Sequence, residues 1–590
     1  MEKLNNFYIN RLKEHQKKLN QISKRINLIR LLRFIVFLGV AIAVYLTFHY
    51  AYIPFVVGSI GGILFSLLVV KHQGFKEKRK LIKIKCAFNE NEISMLNGNF
   101  NNKPDGKEFI NPHHHYSNDI DLFGKGSFFQ YLNRTKTMRG KRTLASILTK
   151  NNVDAIEEKQ KALQELSRKT QWREHFSALA QSISPNHKKA LTISTWLKNF
   201  EAKLSGFPVV FPKIFSGISL VLIGLVSFGL ISFTLITIWF FIGLSISAIY
   251  FNKTQYTYNS ISNLRDVFKQ YYLLLEQIEI ENFTSTFLNR KKSEIKKKEK
   301  KASIIFKAFS NILDAFDQRN NLIIGVVGNG LFLWDIHIAL KAEKWIKTYQ
   351  SVVENWFHVV DFFDAYNSLA VFTFNHPNYV FPAIQKESQT IKALDLGHPL
   401  LKASNRVANN FTIDNGEFFI ITGANMAGKS TFLRTVSLAI IMANCGLPVC
   451  ASSFEYTPIK LITSMRTSDS LTNDESYFYS ELKRLKFIVN EISNATYFII
   501  LDEILKGTNS KDKAIGSNQF VEKLTTSKST GIIATHDISL CALADEYSQI
   551  QNYYFDAEIV TDELFFDYTM KKGVCKNMNA SFLLKKMGIV

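Results

Sequence analysis

The sequence predicts a multidomain protein, helical through its first two thirds and alternating α/β in its last third, with four membrane-spanning helices. Three observations carry this reading. Residues 34–50, 53–70, 214–231 and 233–251 are apolar stretches without Asp, Glu, Lys or Arg. Long patterns of period 3.6 fill most of the chain between and after them. From residue 391 onward, short apolar runs alternate with helical patterns, as strands and helices of an α/β domain do.

At 590 residues the length suits three or four domains. Residues 1–33 read as a basic amphipathic helix. Nine Lys/Arg precede Phe34 and no small-residue cleavage site follows the first apolar stretch, which argues against a cleaved signal peptide. The apolar stretches, 17–19 residues each, pair as two hairpins, 34–70 and 207–251. Such lengths suit a short bilayer span, with buried core helices as the alternative. Arg30, Arg33, Lys71, Lys213 and Lys253 flank the hairpins, and their turns carry no Lys or Arg. By the positive-inside rule both hairpins enter from the cytoplasm and return to it. The expected location is therefore the cell (inner) membrane, multi-pass, with the soluble domains in the cytoplasm. Residues 71–117 read as a linker, with Asn, Gly and Pro gathered near Asn97–Gly106. Residues 118–206 and 252–390 read as two parts of one helical core and lever domain, and 391–590 as the α/β domain. The aromatic-rich stretch 356–374 suits a core or a base-stacking platform, and the lysine-rich run 291–301 a solvated face or a phosphate-tracking patch. The net charge of +22, from 72 Lys+Arg against 50 Asp+Glu, suits a polyanion or an anionic membrane surface. Five scattered cysteines lack metal-ligand spacing, and His113, His114 and His115 read as a solvated loop.

The α/β domain carries the chemistry. A β-prone run, 418–422, feeds Gly423, Ala424, Asn425, Met426, Ala427, Gly428, Lys429, Ser430 and Thr431, which fits G-x-x-x-x-G-K-[ST], and a helical pattern follows. In such a loop, backbone N–H groups wrap a triphosphate, the lysine reaches the β- and γ-phosphates, and the Ser430 hydroxyl ligates Mg²⁺. Seventy-three residues beyond Lys429, the apolar run 497–501 ends in Asp502 and Glu503. Asp502 would hold the metal through water, and Glu503 would orient and deprotonate the attacking water. A third apolar run, 531–535, ends in His536, which would contact the γ-phosphate. ATP and Mg²⁺ are the expected substrate and cofactor.

These residues resemble the MutS-type mismatch-repair ATPases. The loop Thr422–Thr431 is similar to the family's T-G-x-N-M-x-G-K-S-T, whose Asn-Met pair is unusual among phosphate loops. Leu501-Asp502-Glu503-Ile504 with Gly507-Thr508 resembles D-E-I-G-R-G-T, and Ala534-Thr535-His536 resembles A-T-H. Ser476-Tyr477-Phe478-Tyr479-Ser480-Glu481-Leu482 resembles S-T-F-x-x-E-M, and Gly397-His398-Pro399 the motif opening the ATPase domain. Tyr568 falls where the family places a ring near adenine. Upstream, Asp121-Leu122-Phe123, Leu132-Asn133-Arg134-Thr135, Thr137, Gly140 and Arg142 resemble the start of the helical core. The resemblance covers roughly 118–200 and 255–590. It implies a C-terminal ABC-type P-loop ATPase domain, a homodimer in which Ser476 faces the partner subunit's nucleotide, and duplex or structured DNA as the partner of the helical frame. Leu505 and Lys506 stand where the family has Gly-Arg, and Asn579-Ala580 where it has Tyr-Gly. Residues 1–117 offer no wedge-bearing, Phe-x-Glu mismatch-reading domain, so direct mismatch reading is not implied.

Two rival readings share the Walker elements. One is an ABC-type membrane ATPase acting on a transport or protein client. Against it stand the absence of L-S-G-G-Q and the short spacing from Lys429 to Asp502. The other is a membrane scaffold that binds ATP without turnover, which the changed Leu505-Lys506 pair keeps open.

Overall fold

Two antiparallel helices, Glu2–Leu46 and Ile53–Leu96, begin the computed structural model, with Pro54 in the first turn of the second. It describes all residues except 1, 51, 184–192, 194, 205, 208, 297–299, 386–388, 467–476, 507–508, 561–562 and 577–590. At 45 and 44 residues each helix runs about 65 Å, so the apolar half continues without a break into a basic half. The predicted linker 71–117 is therefore helical as far as Leu96. No Gly or Pro interrupts 75–96, and Phe88, Asn89, Glu92 and Met95 are buried there. Two Phe-x-Glu tripeptides, at Phe75 and Phe88, lie in mid-helix, with no separate domain around either.

Buried polar groups tie the foot of this hairpin to the helical frame. Glu174 accepts from Arg11 (2.6 Å), His15 (2.7 Å) and Asn89 (2.6 Å). Glu92 pairs with Arg134 at 3.2 Å and accepts from Asn375 at 2.9 Å, while Tyr8 donates to Asn375 at 2.7 Å.

Among the described residues these two helices are long and apolar enough to cross a membrane. The second apolar pair forms shorter helices, Phe211–Ser227 and Phe233–Ile249, of 17 residues each. The four full-length spans expected from sequence thus become two long helices and a short pair. The physical reason is local. A turn with Gly229 at φ +70° removes residues 228–231 from the helix, and beyond Tyr250 the chain bends by 62° into Phe251–Ile280. An unforeseen apolar helix, Leu322–Phe332, packs against this pair. Leu333 (φ +47°) then turns the chain by 84° into the 42-residue helix Trp334–Asn375.

That long helix is the axis of the frame. Trp356, Phe357, Phe363, Tyr366 and Phe372 are buried on it, so the aromatic-rich stretch is core and not a base-stacking platform. Asp361 pairs with Arg139 (2.8 Å) and accepts from Tyr271 (2.7 Å). One turn on, Asp364 accepts from the Lys136 and Thr137 amides (3.1 and 2.8 Å) and the Thr137 hydroxyl (2.8 Å). Thr137 also caps the helix Met138–Thr149 by accepting from Gly140 N at 2.9 Å. Gly140 is required here, because a Cβ would lie 2.3 Å from Asp364 Oδ2.

The α/β part holds a six-stranded sheet in the spatial order Met570–Lys572, Ile550–Phe555, Phe418–Gly423, Thr530–Ala534, Tyr497–Asp502, Lys460–Ser464, parallel except for the first strand. A mostly antiparallel four-stranded sheet, which includes Gln389–Leu396 and Asn409–Asp414, lies beside it. The strand Phe418–Gly423 is buried at every position, as expected for a central strand covered on both faces. The overall architecture is mixed, α-helical plus α/β.

His114 and His115 form a joint between frame and sheet, while His113 stays exposed as a solvated loop residue. His114 Nδ1 accepts from the Tyr116 and Ser117 amides, which leaves Nε2–H to donate to Thr149 O at 3.0 Å. The His115 carbonyl accepts from Thr463 N (2.9 Å) and Arg484 (2.6 Å), and Asp119 accepts from Thr463 Oγ and Arg466 N. Among the described residues no group of three or more His, Cys, Asp or Glu side chains is arranged to hold a metal ion.

Removing the buried carboxylate of Asp364 tests the frame. Asp364→Ala leaves two amides and a hydroxyl unpaired and should cost about 2–4 kcal/mol in urea unfolding. Burial raises the Asp364 carboxyl from 3.8 to about 6. The folded state therefore holds this proton more tightly than the unfolded chain. Its contribution to stability is complete below the unfolded value and lost as pH rises through the folded one, a span worth about 3 kcal/mol. Asp364→Asn should gain on the parent protein by up to that amount between pH 4 and 7, measured as the difference in unfolding free energy.

Candidate functional site

The site forms at the C-terminal ends of the parallel strands, where crevices open in such sheets. Leaving Phe418–Gly423, the chain turns through Gly423 (φ +147°), Met426 (φ +67°) and Gly428 (φ +107°) into the helix Lys429–Asn444. Gly423 is fixed by space as well as by φ, since a Cβ would sit 2.6 Å from Phe555 O. A helix beginning directly after such a loop offers its unpaired N–H groups and positive dipole end to an anion. The Lys429 ammonium folds back over the loop, donating to Gly423 O at 2.7 Å and Ala424 O at 3.0 Å. Burial lowers its pKa.

The neighbouring strands deliver the carboxylates. Asp502 ends its strand in register with Ala534, and Ser430 Oγ donates to Asp502 Oδ2 at 2.6 Å. Two hard oxygen donors thus stand side by side, a set that suits Mg²⁺, which takes one or two protein ligands and keeps several waters. Glu503 N donates to Ala534 O at 2.8 Å, which holds Glu503 at φ +54°. Its carboxylate meets His536 Nε2 at 3.0 Å and Lys506 Nζ at 3.1 Å. The His536 hydrogen bond and, after it, Lys506 draw the Glu503 carboxyl down from 4.5 to about 2. His536 Nε2 also lies 3.4 Å from Lys429 Nζ. A cavity of about 620 Å³ joins these groups, lined by Ala424–Thr431 with Asp502, Glu503, Lys506 and His536, and at its far end by His398, Asn409 and Tyr568.

The structure brings Lys429, Ser430, Asp502, Glu503 and His536, the residues singled out from sequence, together around one cavity. Tyr568 joins them across the loop, where a Cβ on Gly428 would come within 3.0 Å of its ring. It is half exposed, and Asn409 sets its position by donating to Tyr568 O (3.1 Å) and accepting from Met570 N (2.7 Å). Ser476, Gly507, Thr508, Asn579 and Ala580 lie outside the described residues.

Two features escaped the sequence reading. Glu481, on the helix Tyr477–Ile492, accepts from Lys506 N at 3.0 Å and Leu505 N at 2.5 Å, and so grips the loop behind Glu503. It belongs to the segment already singled out, but only the fold brings it to that loop. Leu505 adopts φ +58°, a region where glycine is at ease and a branched side chain is strained. Its side chain is buried against Gly516, whose added Cβ would meet Leu505 Cδ1 at 2.8 Å. Gly516 on the facing helix leaves the room that this buried side chain occupies.

Comparison with known proteins agrees with this geometry. MutS domain V matches residues 419–585. The human protein MutS protein homolog 4 is 31% identical over 194 residues, 31% of this chain and 20% of that protein. DNA mismatch repair protein MSH4 of Arabidopsis thaliana is 30% identical over 200 residues, 33% of this chain and 25% of that protein. DNA mismatch repair protein MutS of Staphylococcus haemolyticus is 26% identical over 270 residues, 44% of this chain and 30% of that protein. The chain thus spans between a fifth and three tenths of the length of these relatives. The matched segment contains the phosphate loop, Asp502, Glu503, His536 and Tyr568, so the chemistry of this cavity lies within the part of the chain that is similar to MutS domain V.

Proposed function

We propose that this protein is a membrane-anchored ATPase that binds and hydrolyses Mg-ATP in a composite homodimer site and holds duplex or structured DNA in its helical frame. The observation that carries the ATPase reading is the convergence of Lys429, Ser430–Asp502 and Glu503–His536 on one face of the phosphate loop. The loop amides and Lys429 would bind the phosphates, and Tyr568 would lie beside the base. Ser430 and Asp502 would hold Mg²⁺, which when bound supplies charge neutralisation to the β- and γ-phosphates. Glu503 would accept a hydrogen bond from the attacking water, with His536 fixing its orientation. A carboxyl held near 2 is ionised at every physiological pH, so it orients water well but is a weak proton acceptor.

A composite site is supported by Glu481, which links the helix after Ser476 to the loop behind Glu503. A serine offered by a second subunit at the γ-phosphate would then be coupled to Glu503 through that helix. DNA is supported by the net charge of +22 and by the similarity to the DNA mismatch repair proteins MSH4 and MutS. Mismatch reading by this chain is not part of the proposal. Membrane anchoring at the cell (inner) membrane, with the α/β domain in the cytoplasm, is supported by the two long apolar helices and their basic flanks. We place the second, shorter hairpin in the same bilayer, because its two helices expose Ile214, Leu220, Phe233, Leu235 and Phe241.

The Lys506–Glu503 ion pair favours a second reading, an ATP-binding membrane scaffold with little turnover, since a lysine against the catalytic carboxylate opposes proton transfer. Turnover measurements separate the two. Lys429→Ala should abolish nucleotide binding. Glu503→Gln should bind ATP but hydrolyse it at least ~100-fold more slowly, and EDTA should stop the parent protein. Parent-rate hydrolysis by Glu503→Gln would remove Glu503 from its role. Lys506→Ala should raise kcat about 3–10-fold by releasing the carboxylate, and absence of turnover in both proteins would establish the scaffold.

DNA binding is tested by fluorescence anisotropy of the detergent-solubilised protein at two salt concentrations. Affinity should fall steeply with salt through counterion release, with mismatched and matched duplexes within a few-fold of each other. Base-specific readout would instead give about 1–3 kcal/mol per altered pair. No binding at low salt would replace DNA with a protein client.

A further inference from the structure

The apolar helix Leu322–Phe332 has no part in the nucleotide site, yet it is built with care. Its 11 residues run about 16 Å, too short to span a bilayer. One side exposes Leu322 (81%), Ile323 (70%), Val326 and Val327. The other side crosses the second hairpin at backbone contact. A Cβ on Gly243 would meet Gly330 O at 2.0 Å, and one on Gly330 would strike the Phe240 ring at 2.2 Å. Close crossing at small residues is the packing used where helices associate without water.

The helix end carries the stronger signal. The last carbonyls of any helix lack intrahelical partners. Here the Leu331 and Phe332 carbonyls accept from the hydroxyls of Ser219 and Ser216 (3.2 Å), Ser219 accepts from the Trp239 indole at 2.8 Å, and Asn329 O, already bonded to Leu333 N at 3.3 Å, also accepts from the Ser247 hydroxyl at 3.4 Å. In water, solvent would satisfy these carbonyls. Hydroxyls from two apolar neighbouring helices reach this helix end, those of Ser216 and Ser219 shared with the Pro212 and Phe215 carbonyls of their own helix (2.7 and 3.0 Å), and so answer the demand of a medium that offers no hydrogen bonds. Ser216 and Ser219 lie early in Phe211–Ser227 and Ser247 late in Phe233–Ile249, so the crossing sits at the end of the hairpin nearest the frame. Arg319, just before the short helix, pairs with Asp335, just after it, at 3.2 Å, which marks the polar boundary on the frame side.

We propose that Leu322–Phe332 is an in-plane membrane helix set in the bilayer leaflet nearest the frame, with lipid acyl chains covering Leu322, Ile323, Val326 and Val327. The inference rests on the membrane reading of the second hairpin, whose exposed apolar surface it continues. It also gives the 84° bend a geometric role, because a helix lying in the membrane plane sends Trp334–Asn375 away along the normal.

The test uses the full chain in phosphatidylcholine–phosphatidylglycerol vesicles. The five native cysteines are buried, so Ile323→Cys, Val327→Cys, Leu220→Cys and, as the aqueous control, Ile304→Cys each accept a bimane label. Quenching by a nitroxide lipid labelled near the headgroup is compared with quenching by aqueous iodide. Labels at 323 and 327 should lose about half their fluorescence to the nitroxide lipid and resist iodide, as the label at 220 does and the one at 304 does not. Iodide quenching at 323 and 327 with lipid quenching at 220 would overturn the in-plane helix and leave the hairpin reading intact. Protection of 323 and 327 from both quenchers would overturn it in favour of a protein or a second copy covering that face. Absence of lipid quenching at 220 as well would sink the membrane reading of the hairpin and this inference together.

Discussion

The structure depends on how the 42-residue helix Trp334–Asn375 satisfies its own burial. A helix segment covered on nearly all sides must be apolar all round, yet the buried second half of this helix, from Val359, carries Asp361 and Asp364 with almost no exposure. Each carboxylate is kept by donors from other elements: Arg139 and Tyr271 for one, the Lys136–Thr137 turn for the other. Those donors come from before and after the second hairpin in sequence. The two halves of the frame, separated by the hairpin, are therefore joined through one helix. Its far end, at Asn375, meets Glu92 and Tyr8 of the N-terminal hairpin, so the same axis also fixes the first pair of long helices.

A second constraint sits at the joint between frame and sheet. The His115 carbonyl and the Asp119 carboxylate hold Thr463 and Arg466, at the outer parallel strand of the six-stranded sheet. Residues 467–476 follow directly, then the helix bearing Glu481, then the strand that ends in Asp502. Arg484, on the helix bearing Glu481, donates to the His115 carbonyl at 2.6 Å, and Glu481 accepts from the Leu505 and Lys506 amides, so directional bonds link the frame to the loop of Glu503. Packed interfaces of this kind move as units between discrete arrangements.

The site itself shows local strain held by its surroundings. Glu503 and Leu505 both adopt positive φ without being glycine. The Ala534 carbonyl restrains the first, and the Glu481 carboxylate with Gly516 accommodates the second. Strain of this kind persists only where the neighbours over-determine it. Lys506 is carried along by the same turn and placed against the Glu503 carboxylate at 3.1 Å.

Much of this protein was legible in its residues. The glycines, Lys429 and Ser430 are bound to one loop by their spacing, and Asp502, Glu503 and His536 follow apolar runs that must be neighbouring parallel strands, so the cluster was readable before any fold. The first hairpin was readable for the same reason, because apolar length is a one-dimensional property. What the residues did not show was long-range and geometric. Continuation of Ile53–Leu96 through the basic stretch depends on partners in the frame. Seventeen-residue helices and a turn at Gly229 shortened the second pair of spans, and an 11-residue apolar helix is too short to be told from core by composition. His114 and His115 became a joint and the aromatic stretch a core axis only when distant chain segments closed around them. Local pattern determined which elements and which loop chemistry exist, and tertiary contact decided which polar groups meet, because a buried hydrogen bond needs both partners and the sequence names only one at a time.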